Sequence, residues 1–334
     1  MHILVTGGLG YIWSHTIVQL LERGYEVTII DNLSNSDKTA LQTFTQLTWT
    51  SATFFPYDLR DKKQLSELFA AHTFDAVIHF AGLKAVGESC AQPFLYYQNN
   101  IVWTLNLLEV MWEAKVNKLI FSSSAGIYDT HYGEAPFDEN DRTWFCAHPY
   151  GTTKHIIEQL LHDLSLWKWL HCICLRYFNP IGAHPSGLLW EDPKGIPNNI
   201  FPYLMRVAVG KYDMFHIFGD DYATRDGTCI RDYIHIQDLA NAHLSALEKL
   251  DEIADGAMQT INIGTWQWTT VLEMIHMLEE VIWTSLPYDV AERRDGDVAE
   301  TTADVTKAKK LLWRTASHTV KQAIQDGRNH YANK

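Results

Sequence analysis

The run Val5-Thr-Gly-Gly-Leu-Gly-Tyr-Ile-Trp13 joins a short apolar stretch to a helix-like one. Gly7 permits a tight turn after a strand, and Gly10 lets the backbone approach a diphosphate closely. Unpaired N–H groups and the dipole of the helix that follows favour an anion at its N-terminus. The run therefore predicts a dinucleotide-binding turn. A third glycine is expected at position 13 for close helix–strand packing, so we expect Trp13 to displace the helix or strand, or to swing outward.

Short apolar runs alternate with helix-like segments on either side of this turn. Strands are predicted at His2–Thr6, Glu26–Ile30, Ala52–Phe55, Asp75–Phe80, Lys118–Ser122 and Cys172–Tyr177. Helices are predicted at Ser14–Arg23, Lys63–Ala71, Tyr96–Ala114, Lys154–Leu164, Pro202–Gly210, Ile236–Lys249, Val271–Ile282 and Val305–Leu312. This alternation is typical of an α/β fold with a Rossmann-type doubly wound parallel sheet. We expect a nucleotide-binding domain over residues 1–180 and a smaller C-terminal substrate lobe over residues 181–334, with strands and helices crossing back.

A carboxylate follows the second predicted strand. In Thr28-Ile-Ile-Asp31-Asn32, Asp31 lies at the carboxyl end of that strand, where it can accept a hydrogen bond from a ribose 2′-hydroxyl and repel a 2′-phosphate. Together with the glycine turn it favours NAD over NADP. Alone, Asp31 could equally be an acid that caps a turn or a helix.

Three polar residues suit proton transfer beside that turn. Tyr150 and Lys154 are four residues apart and share one face of a predicted helix, and Ser124 ends the fifth strand at the ligand side of the sheet. A nearby ammonium favours ionisation of a phenol, so Tyr150 could act as a base. A Tyr–Lys pair alone is usually a solvated helix face. The order Ser124, Tyr150, Lys154 behind a dinucleotide turn is much more specific.

With these motifs the chain resembles, almost from end to end, the extended short-chain dehydrogenase/reductases and among them the UDP-galactose (UDP-glucose) 4-epimerases. Further matching stretches are His79–Ser89, Tyr96–Asn100, Ser122–Ala125, Arg176–Gly187, Glu191–Asn199 and Arg231–His235. The resemblance implies 4-epimerisation of UDP-galactose and UDP-glucose, a reaction of galactose metabolism, through a transient 4-keto sugar with tightly held NAD. It implies that Tyr150 takes the proton of the sugar 4-hydroxyl and that Ser124 hydrogen-bonds the same oxygen. Lys154 would hold the nicotinamide ribose and lower the pKa of Tyr150.

The resemblance also implies contacts to cofactor and substrate. Cofactor contacts are matched by Gly7, Gly10, Tyr11, Ile12, Asp31, Asn32, Asn35, Ser36, Asp58, Leu59, Phe80, Ala81, Gly82, Lys84, Asn99 and Tyr177. Contacts to the UDP-sugar are matched by Phe178, Asn179, Asn199, Phe218, Arg231, Tyr233, Arg294 and Asp297. Two arginines suit a dianionic diphosphate. Thr301 matches a position near the sugar 2-substituent that is Tyr in members restricted to glucose and galactose. Its small size predicts room for UDP-GlcNAc and UDP-GalNAc, unless Glu300 or a shifted loop refills the space.

Tryptophan is where the sequence departs most from the family. Of the 12 tryptophans, those at usual glycine positions include Trp13, Trp103, Trp190, Trp266, Trp268 and Trp283. An altered sequence and a diverged homologue with weak cofactor binding both explain this pattern. Two other functions stay open: another nucleotide-sugar enzyme of the superfamily, such as a dehydratase or decarboxylase, and a non-catalytic NAD-binding protein. Ala125-Gly126 replaces the Asp-Glu of dehydratases and disfavours elimination, while the intact Ser–Tyr–Lys set disfavours a non-catalytic role.

Composition excludes other classes of protein. With 27 basic and 40 acidic residues the formal net charge is −13, which argues against nucleic-acid binding. No apolar run approaches the ~20 residues that a membrane span needs, and the first residues carry no cationic stretch, so we expect neither a membrane span nor a secretion signal. The 5 cysteines have no metal-binding or redox spacing, so we expect no metal and a cytoplasmic location. We expect Cys172 and Cys174 to face opposite sides of the sheet, without a disulfide. Family resemblance alone implies a homodimer.

Overall fold

The structure, a computed structural model, describes residues 1–191, 193, 195–197, 199–253, 258–294, 296–312 and 315–332. Its strands are β1 His2–Thr6, β2 Glu26–Ile30, β3 Thr53–Phe55, β4 Ala76–His79, β5 Lys118–Ser124, β6 His171–Tyr177, β7 Asn179–Ile181, β8 Phe215–Phe218, β9 Ile230–His235, β10 Gln259–Ile263, β11 Trp268–Thr270, β12 Tyr288–Ala291 and β13 Glu300–Thr301. Its helices are α1 Tyr11–Glu22, α2 Thr39–Thr48, α3 Lys62–Ala71, α4 Val86–Ala91, α5 Pro93–Tyr96, α6 Trp103–Glu113, α7 Pro149–Leu166, α8 Ile200–Ala208, α9 Ile236–Ile253, α10 Val271–Ile282, α11 Thr306–Leu311 and α12 Val320–Ala332.

The main sheet is parallel and has the strand order β10-β6-β5-β4-β1-β2-β3 among the described residues. Successive side chains of β1 point to opposite faces, so Ile3 and Val5 pack with α1 and α9, whereas Leu4 packs with α3, α6 and α7. A sheet buried on both faces needs apolar residues at every position, and this is why its strands read as continuous apolar runs. The predicted α/β class and doubly wound parallel sheet are confirmed, and the six predicted strands end within two residues of the observed ones.

The site lies where the strand order reverses, at the carboxyl ends of β1 and β4. The chain runs from β1 to β2 and β3 on one side of β1 and returns to β4 on the other, which opens a crevice between the two loops. Gly7 has a left-handed φ of 72°, and a Cβ there would lie 2.8 Å from the Cα of Ala81 in the loop after β4. Only glycine therefore lets these two loops meet.

A second group of elements covers the carboxyl edge. Strand β9 pairs with β11, β13 and β7, and β8 pairs with β12. Their apolar side chains pack with those of α8, α10 and α12 around Phe201, Ile217, Tyr233 and Met274. In the part of the chain that is described, no helix is long and apolar enough to cross a membrane.

Sequence patterns missed some elements and misplaced one pair of side chains. Strand β10 joins the main sheet beside β6, although it follows about 80 residues of the second group of elements. The predicted helix Tyr96–Ala114 is divided by a π-helical turn at Tyr97–Val102. The expectation for Cys172 and Cys174 was wrong about their direction. Residues two apart on a strand share a face, and their sulfur atoms lie 3.9 Å apart as free thiols.

Candidate active site

A cleft of about 1250 Å³ lies between the main sheet and the second group of elements. Most of the predicted site residues line it, from the glycine turn and Asp31 at one end to Arg231, Arg294 and Thr301 at the other. The predicted residues that do not line it are Ile12, Asp58, Phe80, Asn99 and Lys154, which lie behind its wall. The structure thus brings the predicted cofactor and substrate residues to one continuous space.

The glycine turn forms the floor of the cofactor end. Gly10 is the N-cap of α1 and provides no side-chain cap, so the first N–H groups of the helix face the cleft. No acidic residue lies in the first turn of α1 to compete with an anion. This arrangement suits a diphosphate, because backbone donors and the helix dipole act together on it.

Trp13 is the one feature of this end that conflicts with a bound dinucleotide. Helix α1 keeps its packing on the sheet through Ile12 and Ile17, and the half-buried Trp13 side chain packs against the same apolar cluster. The indole stacks against Phe80 with ring centroids 4.6 Å apart. A Cβ built on Gly10 would overlap the indole nitrogen, so the ring covers the glycine that the diphosphate must approach.

Asp31 is fixed at the end of β2 by three hydrogen bonds. One carboxylate oxygen accepts from Leu9 N at 3.0 Å, and the other from Leu33 N and the Ser36 hydroxyl, each at 2.8 Å. The residue is buried yet lines the cleft. It therefore links the glycine turn to the loop after β2, as a ribose-binding acid does.

Asp58 supports the same end without lining the cleft. Its carboxylate accepts from Asn32 Nδ2 at 2.9 Å and from Arg60 Nη2 at 2.7 Å. Burial by itself would raise the pKa of Asp58, but the hydrogen bonds from Arg60 and Asn32 lower it to about 2. A permanently charged Asp58 holds Asn32 in place at the rim.

Ser124 and Tyr150 line the cleft, whereas Lys154 is buried and does not line it. Ser124 ends β5 and accepts a hydrogen bond from Gly126 N at 3.1 Å, while Tyr150 lies in the first turn of α7. Burial raises the pKa of Tyr150, and a hydrogen bond with Ser124 lowers it to a smaller extent. Lys154 donates to Ser122 O at 2.6 Å, and burial lowers its pKa to about 8. The expected lowering of the Tyr150 pKa by Lys154 is not seen, because the ammonium is directed at Ser122 O and burial of the phenol dominates.

Two residues that the sequence analysis did not identify stabilise this wall of the cleft. His148 caps α7 by accepting from Gly151 N at 3.0 Å, and its ring lies parallel to that of Tyr150. His243 on α9 donates from Nδ1 to Leu239 O at 2.8 Å, which leaves Nε2 to accept a hydrogen bond from the Tyr177 hydroxyl. A histidine directly before Pro149 at a helix start could have indicated the helix cap. Nothing in the sequence indicates that His243 pairs with Tyr177.

The substrate end carries two arginines around one acid. Arg294 donates to Asp297 at 2.9 Å and covers the Phe218 ring, and Arg231 Nη2 lies 3.9 Å from the same carboxylate. Arg231 also donates to the carbonyls of Ile230 and Val298, which fixes its direction along β9. Two guanidinium groups that converge on the cleft suit a ligand with two negative charges.

A buried acid joins the two ends of the cleft. Glu191 accepts from Lys84 Nζ at 3.3 Å and from Asn199 Nδ2 at 2.7 Å, so a predicted cofactor residue and a predicted substrate residue share one partner. Glu191 also contributes to a raised Tyr11 pKa, after the burial of that phenol. The motif that begins at Glu191 gave no sign of this role in the sequence. The described residues contain no cluster of side chains that could hold a metal ion.

Comparisons with known proteins agree with this site. The family model described as NAD dependent epimerase/dehydratase matches residues 3–264. The chain is 48% identical over 318 residues to a UDP-glucose 4-epimerase of Erwinia amylovora, covering 95% of this chain and 94% of that one. It is similar to a solved UDP-glucose 4-epimerase from Bifidobacterium longum in complex with NAD+ and UDP, with 44% identity, a TM-score of 0.94 and coverage of 100% and 98%. It is also similar to a solved UDP-Glc/GlcNAc 4-epimerase from Campylobacter jejuni, with 34% identity, a TM-score of 0.82 and coverage of 100% and 99%.

Proposed function

The chain belongs to the NAD-dependent epimerase/dehydratase family, and from that premise we propose that it interconverts UDP-galactose and UDP-glucose by 4-epimerisation with NAD. One observation carries the proposal: a single cleft is lined by a dinucleotide turn, by Ser124 and Tyr150, and by two convergent arginines. The curated relatives at this level of identity are UDP-glucose 4-epimerases, so the dehydratase, decarboxylase and non-catalytic alternatives are not favoured.

Residues 1–180 would hold the cofactor and residues 181–334 the UDP-sugar, with β10 and α9 crossing back to the first part. NAD, when bound, supplies a reversible hydride acceptor for C4 of the sugar. Gly7 and Gly10 would face its diphosphate and Asp31 a ribose. Apart from Trp13, the residues present fit such a dinucleotide. Arg231 and Arg294 would bind the diphosphate of the sugar nucleotide.

Proton transfer falls to Tyr150 and Ser124. The Tyr150 phenolate would take the proton of the sugar 4-hydroxyl and later return it, and Ser124 would hydrogen-bond the same oxygen. Lys154 is cationic at neutral pH, since its pKa is about 8, and its charge would favour ionisation of the phenol once ligands order the site. Epimerisation requires hydrogen to leave one face of C4 and return to the other, so the sugar must turn inside the cleft.

The proposal is tested by denaturing the purified protein and assaying the released NAD, with UDP-galactose turnover measured on the same preparation. We expect both NAD and formation of UDP-glucose. NAD-loaded protein that leaves UDP-galactose unchanged would overturn the proposal. Protein that lacks NAD is assayed again after incubation with NAD, and failure to turn over UDP-galactose then would also overturn it.

N-acetylated sugars would also be substrates. Thr301 lines the cleft beside Arg231, its partner on β9. Glu300 does not line it, and its carboxylate instead accepts from the Thr302 hydroxyl at 2.8 Å. These two observations support a pocket that Glu300 does not refill, and the similar Campylobacter jejuni protein is named for UDP-Glc and GlcNAc.

We also propose that the protein is a homodimer and that it is located in the cytoplasm. Exposed apolar side chains lie within residues 94–105, at Phe94, Val102 and Leu105, and on α7, at Ile156. They support association of two copies through these helices. Sedimentation velocity checks this: a monomer at micromolar concentration would contradict the homodimer.

All 5 cysteines are free, which suits a reducing cytoplasm.

A further inference from the structure

Three tryptophans lie in a backbone conformation that favours glycine. Trp49, Trp266 and Trp283 have φ angles of 58°, 63° and 59°, in the left-handed region. A β-carbon clashes with the following carbonyl in that region, and glycine alone avoids the clash. Trp49 and Trp283 also follow α2 and α10 directly and donate their N–H groups to Thr45 O and Glu279 O. This is the helix-ending geometry in which glycine is most common.

Burial of the side chain does not offset this strain at Trp49 or Trp283. Trp49 is 90% exposed and Trp283 86% exposed, so the largest apolar side chain is left in water at both helix ends. Side-chain packing therefore does not explain tryptophan there.

Other tryptophans have a buried indole N–H group without a hydrogen-bond acceptor. The indole N–H groups of Trp103, Trp190 and Trp268 have no hydrogen-bond acceptor within the described residues. Buried indoles usually find an acceptor, because an unpaired buried donor loses its bond to water. Three positions in different parts of the fold thus share one defect.

Position 13 shows the functional consequence. The Trp13 indole covers Gly10 and leans on Phe80, so it occupies the surface that a diphosphate must reach. A glycine at position 13 would clear that surface without moving α1, whose packing is already in place.

We propose that glycine, not tryptophan, occupies these positions in the enzyme as its own cell makes it. Scattered substitutions would not produce the same residue at left-handed turns, in buried gaps and on the cofactor turn. A single codon decoded as glycine rather than tryptophan would do so. UGA is such a codon, since variant genetic codes assign it to either residue. Trp313 lies outside the described residues. Of these positions, only position 13 depends for its interpretation on the proposed function.

Peptide mass spectrometry of the chain purified from its source cells tests the proposal directly, with no need for activity or cofactor. We expect peptides covering positions 13, 49, 266 and 283 to be lighter by the mass difference between tryptophan and glycine. We also expect the gene to carry UGA, not UGG, at these positions. Tryptophan at any of the four would overturn the proposal, whether or not the protein proves to be an epimerase.

Variants of the tryptophan-containing chain test the physical reasons. Trp13→Gly should raise the NAD retained through purification several-fold, whereas Trp144→Gly, at an exposed position away from left-handed backbone, should not. Trp283→Gly should raise the melting temperature by several degrees, and Trp283→Ala should raise it less because alanine keeps the β-carbon. Equal NAD content for Trp13→Gly and the parent chain, or equal melting of the Gly and Ala variants, would count against the proposal.

Discussion

At the scale of single residues, the proposed proton-transfer group is Tyr150, a half-buried phenol that lines the cleft with Ser124. Tyr150→Phe removes only the phenol oxygen, so the cleft, its charges and the cofactor contacts remain. We expect turnover of UDP-galactose to fall by about 10²–10⁴-fold, as for loss of a general base, with bound NAD unchanged. Tyr132→Phe, at an exposed tyrosine, is the matched control. Near-parental turnover by the Tyr150 variant would show that another group moves the proton.

Thr301 is a residue whose size should decide which sugars enter. Thr301→Tyr adds a ring to the cleft wall beside Arg231, and close-packed pockets tolerate little overlap. We expect the parent protein to turn over both UDP-glucose and UDP-GlcNAc, and the variant to lose UDP-GlcNAc selectively. The ratio of kcat/KM for the two substrates measures this. A parent protein that accepts UDP-glucose and ignores UDP-GlcNAc would refute the interpretation.

At the scale of elements, a buried ion pair sets the position of α7, which carries Tyr150 and Lys154. Arg176 on β6 donates to Glu158 on α7 at 2.6 and 3.1 Å, and Ser123 on β5 donates to the same carboxylate at 2.5 Å. Both charged side chains are almost fully buried. The pair and Ser123 therefore join two central strands to α7.

Removing one partner of this pair leaves an uncompensated buried charge. We expect Glu158→Leu to lower the free energy of unfolding by about 3–5 kcal/mol. The double variant Glu158→Leu, Arg176→Met removes both charges and should cost clearly less than the single variant. Urea unfolding of the three proteins measures both values. A double variant as unstable as the single one would mean that packing, not charge, dominates here.

The sequence predicted elements whose pattern is local and missed those set by tertiary contacts. Apolar runs such as Lys118–Ser122 identified the buried strands, because a strand covered on both faces must be apolar throughout. Strand β10 was not predicted because its partner β6 lies far away in sequence, and a five-residue run carries no information about that pairing. The candidate site shows the same division. Motifs placed Asp31 and Tyr150 in the cleft, but the partnership of Glu191 with Lys84 and Asn199 exists only in three dimensions.

At the scale of the whole molecule, three buried histidines make folding sensitive to acid. Burial lowers the pKa of His15 and His79 to about 3 and that of His243 to about 4. Burial keeps each imidazole neutral, and hydrogen bonds fix its position, as those between His79 and the hydroxyls of Thr6 and Thr104 do at 2.7 and 2.9 Å. In the unfolded chain all three regain a pKa near 6.5. Well below that pH these three imidazoles therefore bind about three more protons in the unfolded chain than in the native one.

Stability should consequently fall as the pH drops from about 6.5 towards 4, by up to about 4 kcal/mol per pH unit when all three imidazoles are charged in the unfolded chain. Asp232 and Glu139, whose pKa burial raises, oppose this loss at the acid end of the window. Urea unfolding at pH 7.5, 6 and 5 measures the slope. His243→Gln should reduce the slope by about a third, because one buried imidazole is gone. A free energy of unfolding that stays constant between pH 6.5 and 5 would mean that these imidazoles accept protons in the folded state.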